Sequence, residues 1–407
     1  MRPVTQPPII ASDATYSAPT KVWDGAPTKL VPLGSKVARG LEPSERPAPE
    51  FLNWVLNTYG GHLAHLDALE VQNWTPSSTV VGALGGGSLP VSGSSVAWDP
   101  LSRRFFLANP KAGSTGGVWT SPNLIEWAHS LVADEPIGMA VGATGYVVAA
   151  FSNGDLQRSS PGGNLTTWAA YAPTLQKALN GIAWDSETSR FVAWGTKDMG
   201  LGPGVAPNAG IWSATEDLGT ITLVAVGSAV YASEINLVAL GPGKKLAIGS
   251  FRALVGDPVS THTWTSADVS APWTDRGAWT GGLPVGLVWD GSRSVFAMAC
   301  LNGEVWISPD GIAWTKRQDA SADRVFLPFT LALVSGSIWV AVAMSTTNPT
   351  LVRLVYSLDA GITWLDVPYP LNQSAAAMGL ISTGGRAVLV AKDGSDLVVA
   401  SSLRLGA

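Results

Sequence analysis

One cysteine and four histidines among 407 residues leave little material for thiol or metal chemistry. Cys300 can form no intramolecular disulfide. It lies in the apolar run VFAMAC with no histidine beside it, so it reads as a small buried hydrophobe, not a nucleophile. Charge is equally sparse: Asp, Glu, Lys and Arg together make 14% of the chain, with 25 cations against 30 anions. No basic stripe is visible, which argues against nucleic acid as a partner. No apolar run approaches the ~20 residues of a membrane span, and the opening MRPVTQPPIIASD has no signal-peptide core. These features predict folding in a reducing cytoplasm with no membrane anchor. No glycine-rich phosphate loop, nucleophile elbow or Cys/His cluster occurs, so neither a cofactor nor a metal is expected.

Apolar side chains, by contrast, are plentiful. A 46% hydrophobic content excludes a disordered chain, and 45 Gly, 28 Pro and 18 Trp suggest tight turns around aromatic-filled β-layers. Residues 1–48 stand apart, because Pro3, Pro7, Pro8, Pro19, Pro27, Pro32, Pro43 and Pro47 each fix φ and remove a donor. That spacing predicts an extended arm without ladders of its own, ordered only by lying on something else. Over 49–72, Pro49 and Glu50 suit a helix start, and Leu52, Val55, Leu56, Tyr59, Leu63 and Leu66 fall at three- and four-residue steps. Gly60-Gly61 weakens the middle of this helix. His62 and His65 sit one turn apart but have no carboxylate or cysteine at matching distance, so they read as ordinary histidines.

From residue 73 onward the chain repeats. A small or polar turn followed by Trp recurs as SPNLIEW, SSPGGNLTTW, SADVSAPW, SPDGIAW and SLDAGITW. Paired apolar strands precede these turns, as in VAWDPLSRRFFLA, IAWDSETSRFVAW and LVWDGSRSVFAMA. Units begin near 94, 136, 179, 233, 283, 330 and 375, a period of four short strands. Such spacing predicts a seven-bladed β-propeller over 73–407. The last unit lacks a Trp-led fourth strand, while VQNWTPSSTVV at the front offers one. Trp74 is therefore expected to lead the strand that closes the final blade and removes an open edge.

SLDAGITW resembles the Asp box of sialidase-like (BNR) propellers, Ser-x-Asp-x-Gly-x-Thr-Trp, and SPDGIAW is a version one residue shorter. Asp310 and Asp359 suit acceptance of backbone N–H groups in a tight turn after Ser308 and Ser357. Gly311 and Gly361 suit positive φ, and Trp314 and Trp364 suit filling between blades. The resemblance implies a structural role for these eight residues and no particular reaction. Sialidases of this class use an arginine trio, a Tyr–Glu pair and an acidic acid/base. The early Arg-Ile-Pro segment of that family is absent here, and no tyrosine stands suitably beside an acid.

Loop lengths indicate where a ligand would sit. The enlarged second-to-third strand connections are 109–117, 195–210, 251–262 and 344–351, and blade topology gathers them on the face opposite the box turns. Lys111, Lys197, Asp198, Arg252, Asp257 and His262 are the candidate contacts there.

GLEPSERPAPEFLNWVLNTYGGHLAHLD resembles a stretch near the start of bacteriophage tail-fibre and other virion proteins. That resemblance implies anchoring to other virion proteins through residues 1–72, with Leu52, Trp54, Val55, Leu56, Leu63 and Leu66 as the anchoring face. It also implies several copies of the chain together on the particle. The expectation is thus a non-enzymatic virion protein of the tail or capsid surface, displaying a propeller that binds host-surface glycan or virion proteins. A glycan-cleaving tailspike and a bacterial scaffold or sensor propeller are the alternatives.

Overall fold

The computed structural model describes residues 74–80, 96–109, 117–131, 136–151, 153–159, 168–171, 178–196, 209–224, 226, 232–251, 260–334, 338–367, 369–371, 376–383, 386–393 and 396–402. The arm, the helix and their anchoring residues lie outside this set. Contacts divide the chain at Leu69/Glu70, and every described residue belongs to the second unit.

Seven four-stranded antiparallel sheets make up the described residues. Blades I to VI take their strands in chain order from 96–131, 136–171, 178–224, 232–278, 284–318 and 324–367. Blade VII takes three strands from 376–402, and its fourth is Trp74–Val80 from the other end of the chain. Trp74 pairs with Ser402 and Val80 with Leu397. The ring closes as the repeat predicts, and the third strand of blade VII is left with no free edge.

Burial is highest in the middle of a blade and lowest in its outer strand. The second strands are apolar on both faces, as in Val147–Phe151 and Val295–Cys300, because each lies between two neighbouring blades. Period-two geometry then splits one strand between two interfaces. Phe296, Met298 and Cys300 join the cluster toward blade IV, while Ala297 and Ala299 join the one toward blade VI. Trp339 of blade VI occupies the space those alanines leave. The outer strand Thr274–Ala278 alternates exposed and half-buried residues, since only its inner side has a neighbour.

Polar locks join neighbouring blades where the apolar layers end. The Trp-Asp turns place Asp99, Asp185 and Asp290 at the ends of inner strands, each almost fully buried. Asp290 accepts from Ser292 N (3.0 Å), Ser292 Oγ (2.6 Å), Arg293 N (3.2 Å) and Arg293 Nη1 (2.7 Å) within its own turn. It also accepts from Trp339 Nε1 of the next blade at 2.8 Å. Lys245 occupies the equivalent position in blade IV and reaches back to Asp185 at 2.9 Å and Glu187 at 2.8 Å. A buried ammonium is tolerated there because three oxygens surround it, the third being Gly241 O at 3.0 Å.

Burial pushes the Asp290 carboxyl up, but donation from Ser292, Trp339 and Arg293 outweighs it and holds the group below its ordinary value. The folded state thus prefers the carboxylate. Its contribution is complete above the unfolded value of about 3.9 and is lost as pH falls through the lower folded value. Asp290→Ala should lower unfolding free energy by at least about 2 kcal/mol in denaturant titrations at pH 7, because the Trp339 indole is left buried without an acceptor. The difference from the parent should shrink below pH 4. Deleting residues 1–80 should produce aggregation on size-exclusion chromatography, whereas deleting only 1–69 should leave a soluble, cooperatively unfolding ring.

Candidate functional site

Two faces of the ring differ in chemistry. The first carries the turns between third and fourth strands. All seven third strands end in a hydroxyl residue, namely Ser121, Ser159, Thr215, Ser266, Ser308, Ser357 and Ser402. In blade V, Ser308 Oγ accepts from Gly311 N at 2.8 Å, and Asp310 Oδ1 accepts from Ile312 N at 2.8 Å and Ala313 N at 2.9 Å. Gly311 has φ of 75°, the left-handed region that favours glycine. In blade VI, Ser357 Oγ accepts from Gly361 N at 2.8 Å and Asp359 accepts from Ile362 N, Thr363 N and Thr363 Oγ1. The extra residue of this box is absorbed by two successive left-handed residues, Ala360 and Gly361. A Cβ at Gly361 would stand 2.6 Å from Val305 and 2.9 Å from Trp339. Blade I builds the same turn with Asn123 in place of Asp and Leu124 at φ 66° in place of Gly. All these side-chain acceptors are consumed by their own turns. Trp364 packs edge-tilted on Phe326 at 5.1 Å, and Trp314 borders the blade IV–V cluster.

The central channel encloses about 540 Å³ and is lined by the inner strands of all seven blades. Its lining is apolar except for Asn236 and Ser382. Trp98, Trp184 and Trp289 stand near its box-side mouth, each supported by a neighbouring strand's ring, Phe105, Phe191 and Phe296, at 4.4, 4.8 and 4.8 Å. At the other mouth Asn180 Nδ2 donates to Glu234 Oε1 at 2.7 Å and to Ile235 O at 2.8 Å.

The second face carries the long connections. Lys111, Lys197, Asp198, Arg252 and Asp257 lie outside the described residues, so the structure gathers none of them into a site. His262 is in the third strand of blade IV, not in a loop, and its Nδ1 is 3.0 Å from Asp275 Oδ1. Asp275 also accepts from Gly277 N at 2.7 Å, and the imidazole tilts toward Trp264 at 5.9 Å. Nearby, Trp279 in the link between blades IV and V stands edge-on to Trp306 at 5.1 Å and to Trp314 at 5.4 Å. The Glu304 carboxylate accepts from Gly282 N, Trp306 Nε1 and Lys316 Nζ, which together outweigh its burial and hold it below its ordinary value.

One long connection is fully described. The segment after Met344 folds on itself through Ser345 N to Leu351 O (3.1 Å) and Leu351 N to Asn348 O (2.9 Å). Thr346 ties it to the preceding inter-blade link, its N reaching Asp323 O at 3.1 Å and its Oγ1 reaching Ala322 O at 2.6 Å. Beneath lies a cavity of about 160 Å³ lined by Asp323, Arg324, Ala343, Met344, Ser345, Thr347 and Arg353. Arg353 Nη1 is hydrogen-bonded to Asp366, and Arg324 Nη2 is 3.6 Å from the same carboxylate. The Ser321 hydroxyl, the residue's own backbone amide and then the two guanidiniums hold Asp323 below its ordinary value. Sequence reasoning singled out the loop but not these arginines, which lie at strand starts and carry no motif.

No family model matches the chain, and no curated protein does. Solved propellers share its fold. YCF48 from Cyanidioschyzon merolae is 13% identical over 81% of this chain and 98% of that one, with a TM-score of 0.53. Puromycin hydrolase is 12% identical over 79% of this chain and 55% of that one, at 0.55. U3-55K is 10% identical over 81% and 98%, at 0.50. At these identities the likeness is one of fold.

Cys300 is fully buried, and burial, then the Glu304 charge, pushes its thiol up to about 12. A maleimide at pH 7.5 should leave the native protein unlabelled and react fully once denaturant opens blade V.

Proposed function

We propose that this chain is a non-enzymatic bacteriophage virion protein, anchored by residues 1–72 to neighbouring virion proteins and copies of itself, whose propeller binds host-surface glycan. The observation that carries this reading is the polarity of the ring. Trp74 pairs with Ser402 at the box-side end of blade VII, so the chain runs into the propeller on the box face. An anchor preceding residue 74 would join the propeller through the strand that starts at this face, while the arginine-lined cavity lies on the long-loop face. The resemblance of 40–67 to virion proteins supplies the anchor, and the box resemblance of 308–314 and 357–364 supplies a rigid frame.

A binding role is favoured over cleavage by the channel lining. Glycoside hydrolysis calls for two carboxyl groups on the order of 5–9 Å apart facing one substrate. Among the described residues the channel offers Asn236 and Ser382 beside apolar side chains. The box aspartates are spent on backbone N–H groups, on the far face from the long loops.

Antibodies raised against the full chain should label purified phage particles from the bacterium that carries its gene. The same chain, immobilised, should retain surface glycans from that host without releasing reducing sugar. Recovery of the chain only from uninfected cells, or release of reducing ends that Asp→Asn changes in the long-loop face abolish, would overturn the reading.

A further inference from the structure

The blade VI cavity holds more hydrogen-bonding capacity than the fold uses. Each guanidinium carries five N–H donors in a fixed fork. Among the described residues Arg353 gives only Nη1 to Asp366, and Arg324 comes no closer than 3.6 Å to that carboxylate. Both arginines, with donors to spare, line the cavity together with the Asp323 carboxylate, which accepts from Ser321 Oγ at 2.7 Å and from its own backbone amide. Ser345 and Thr347 add hydroxyls that are 3.0 Å apart, and Met344 gives an apolar wall.

Charge decides the ligand class. The two arginines are offset by Asp323 in the lining and by Asp366, which Arg353 holds outside it, so an anion entering the cavity would meet no net positive charge. A neutral group with adjacent donors and acceptors fits better, since one hydroxyl can accept from an arginine while its neighbour donates to Asp323. At about 160 Å³ the cavity falls below the ~300–1,000 Å³ that drug-sized ligands occupy. We propose that this cavity is the recognition subsite for a single neutral sugar ring, the terminal residue of a glycan, read through vicinal hydroxyls by Arg324, Arg353 and Asp323. The inference rests on the glycan-binding reading and adds its location and sugar class. The hydrogen-bonded 344–351 connection fixes these groups before binding, which limits the ordering cost.

Full-length protein on an array of neutral, acidic and sulfated glycans, followed by titration of the best ligands, tests this. Arg324→Gln and Arg353→Gln should each weaken binding of neutral-terminated glycans at least tenfold, the scale of one hydrogen bond to a charged group. Because Arg353 also holds Asp366, Asp323→Ala serves as a second probe; it leaves the backbone carbonyl that fixes Thr346 and should weaken binding in the same direction. Thermal unfolding of each variant separates lost binding from lost fold. Neutral glycans bound equally by parent and all three variants would overturn the subsite while sparing the glycan reading. Selective, salt-sensitive binding of acidic or sulfated glycans alone would overturn the neutral class. Failure to bind any glycan, with particle labelling retained, would overturn both the subsite and the glycan half of the proposed function.

Discussion

A ring of sheets has no natural end, and the hydrogen bonds between Trp74–Val80 and Leu397–Ser402 are what make this one a ring. Without them the third strand of blade VII would offer a row of unpaired N–H and C=O groups. The two strand-to-blade interfaces beside it would then be held by side chains alone. With them, every second strand can be apolar on both faces, because each has a blade on either side. That condition explains why runs such as VFAMAC and IWVAVAM are continuous and not alternating. The long stretch of chain between the two closing strands makes their pairing entropically costly, so many favourable interblade contacts must form with it.

Most of this architecture was legible in the sequence. The unit starts near 136, 179, 233 and 375 fall within about one residue of inner strands beginning at Pro136, Ala178, Ala232 and Ala376. Blade VI is the exception: its inner strand begins at Arg324, six residues before the expected 330. The register shift between Phe326 and Leu331 and the positive φ of Phe329 show why. An irregularity splits the strand, and only the part after it reads as a clean apolar run. The fourth strand of blade III is led by Ile221 and not Trp, which interrupts the otherwise periodic series of Trp-led strands.

The interblade locks were not legible, for a physical reason. Trp-Asp before a polar turn announces the turn, yet the partner of Asp290 is 49 positions away and that of Asp185 is 60 away. Nothing local in KKLAIG or SIWVAV marks Lys245 or Trp339 as a donor to the preceding blade. The candidate site behaves similarly. Loop length pointed to 344–351, whereas Arg324 and Arg353 come from two strand starts that only the closed blade brings together.

The two faces also divide the labour between order and recognition. On the box face polar side chains are spent on their own turns, as Asp310 and Asp359 are, or on a neighbouring blade, as Asp290, Lys245 and Glu216 are, so substitutions there act on stability. On the long-loop face of blade VI the 344–351 connection is held by its own backbone, by the Ser345 and Asn348 side chains and by Asp323 O and Ala322 O, while the two arginines keep donors beyond those near Asp366. A site of this kind can change its arginines or hydroxyls without altering any contact that closes the ring. In blade VI the inner strand is interrupted between Phe326 and Leu331, and the regular part before the interruption carries Arg324 toward the same Asp366 carboxylate that Arg353 holds.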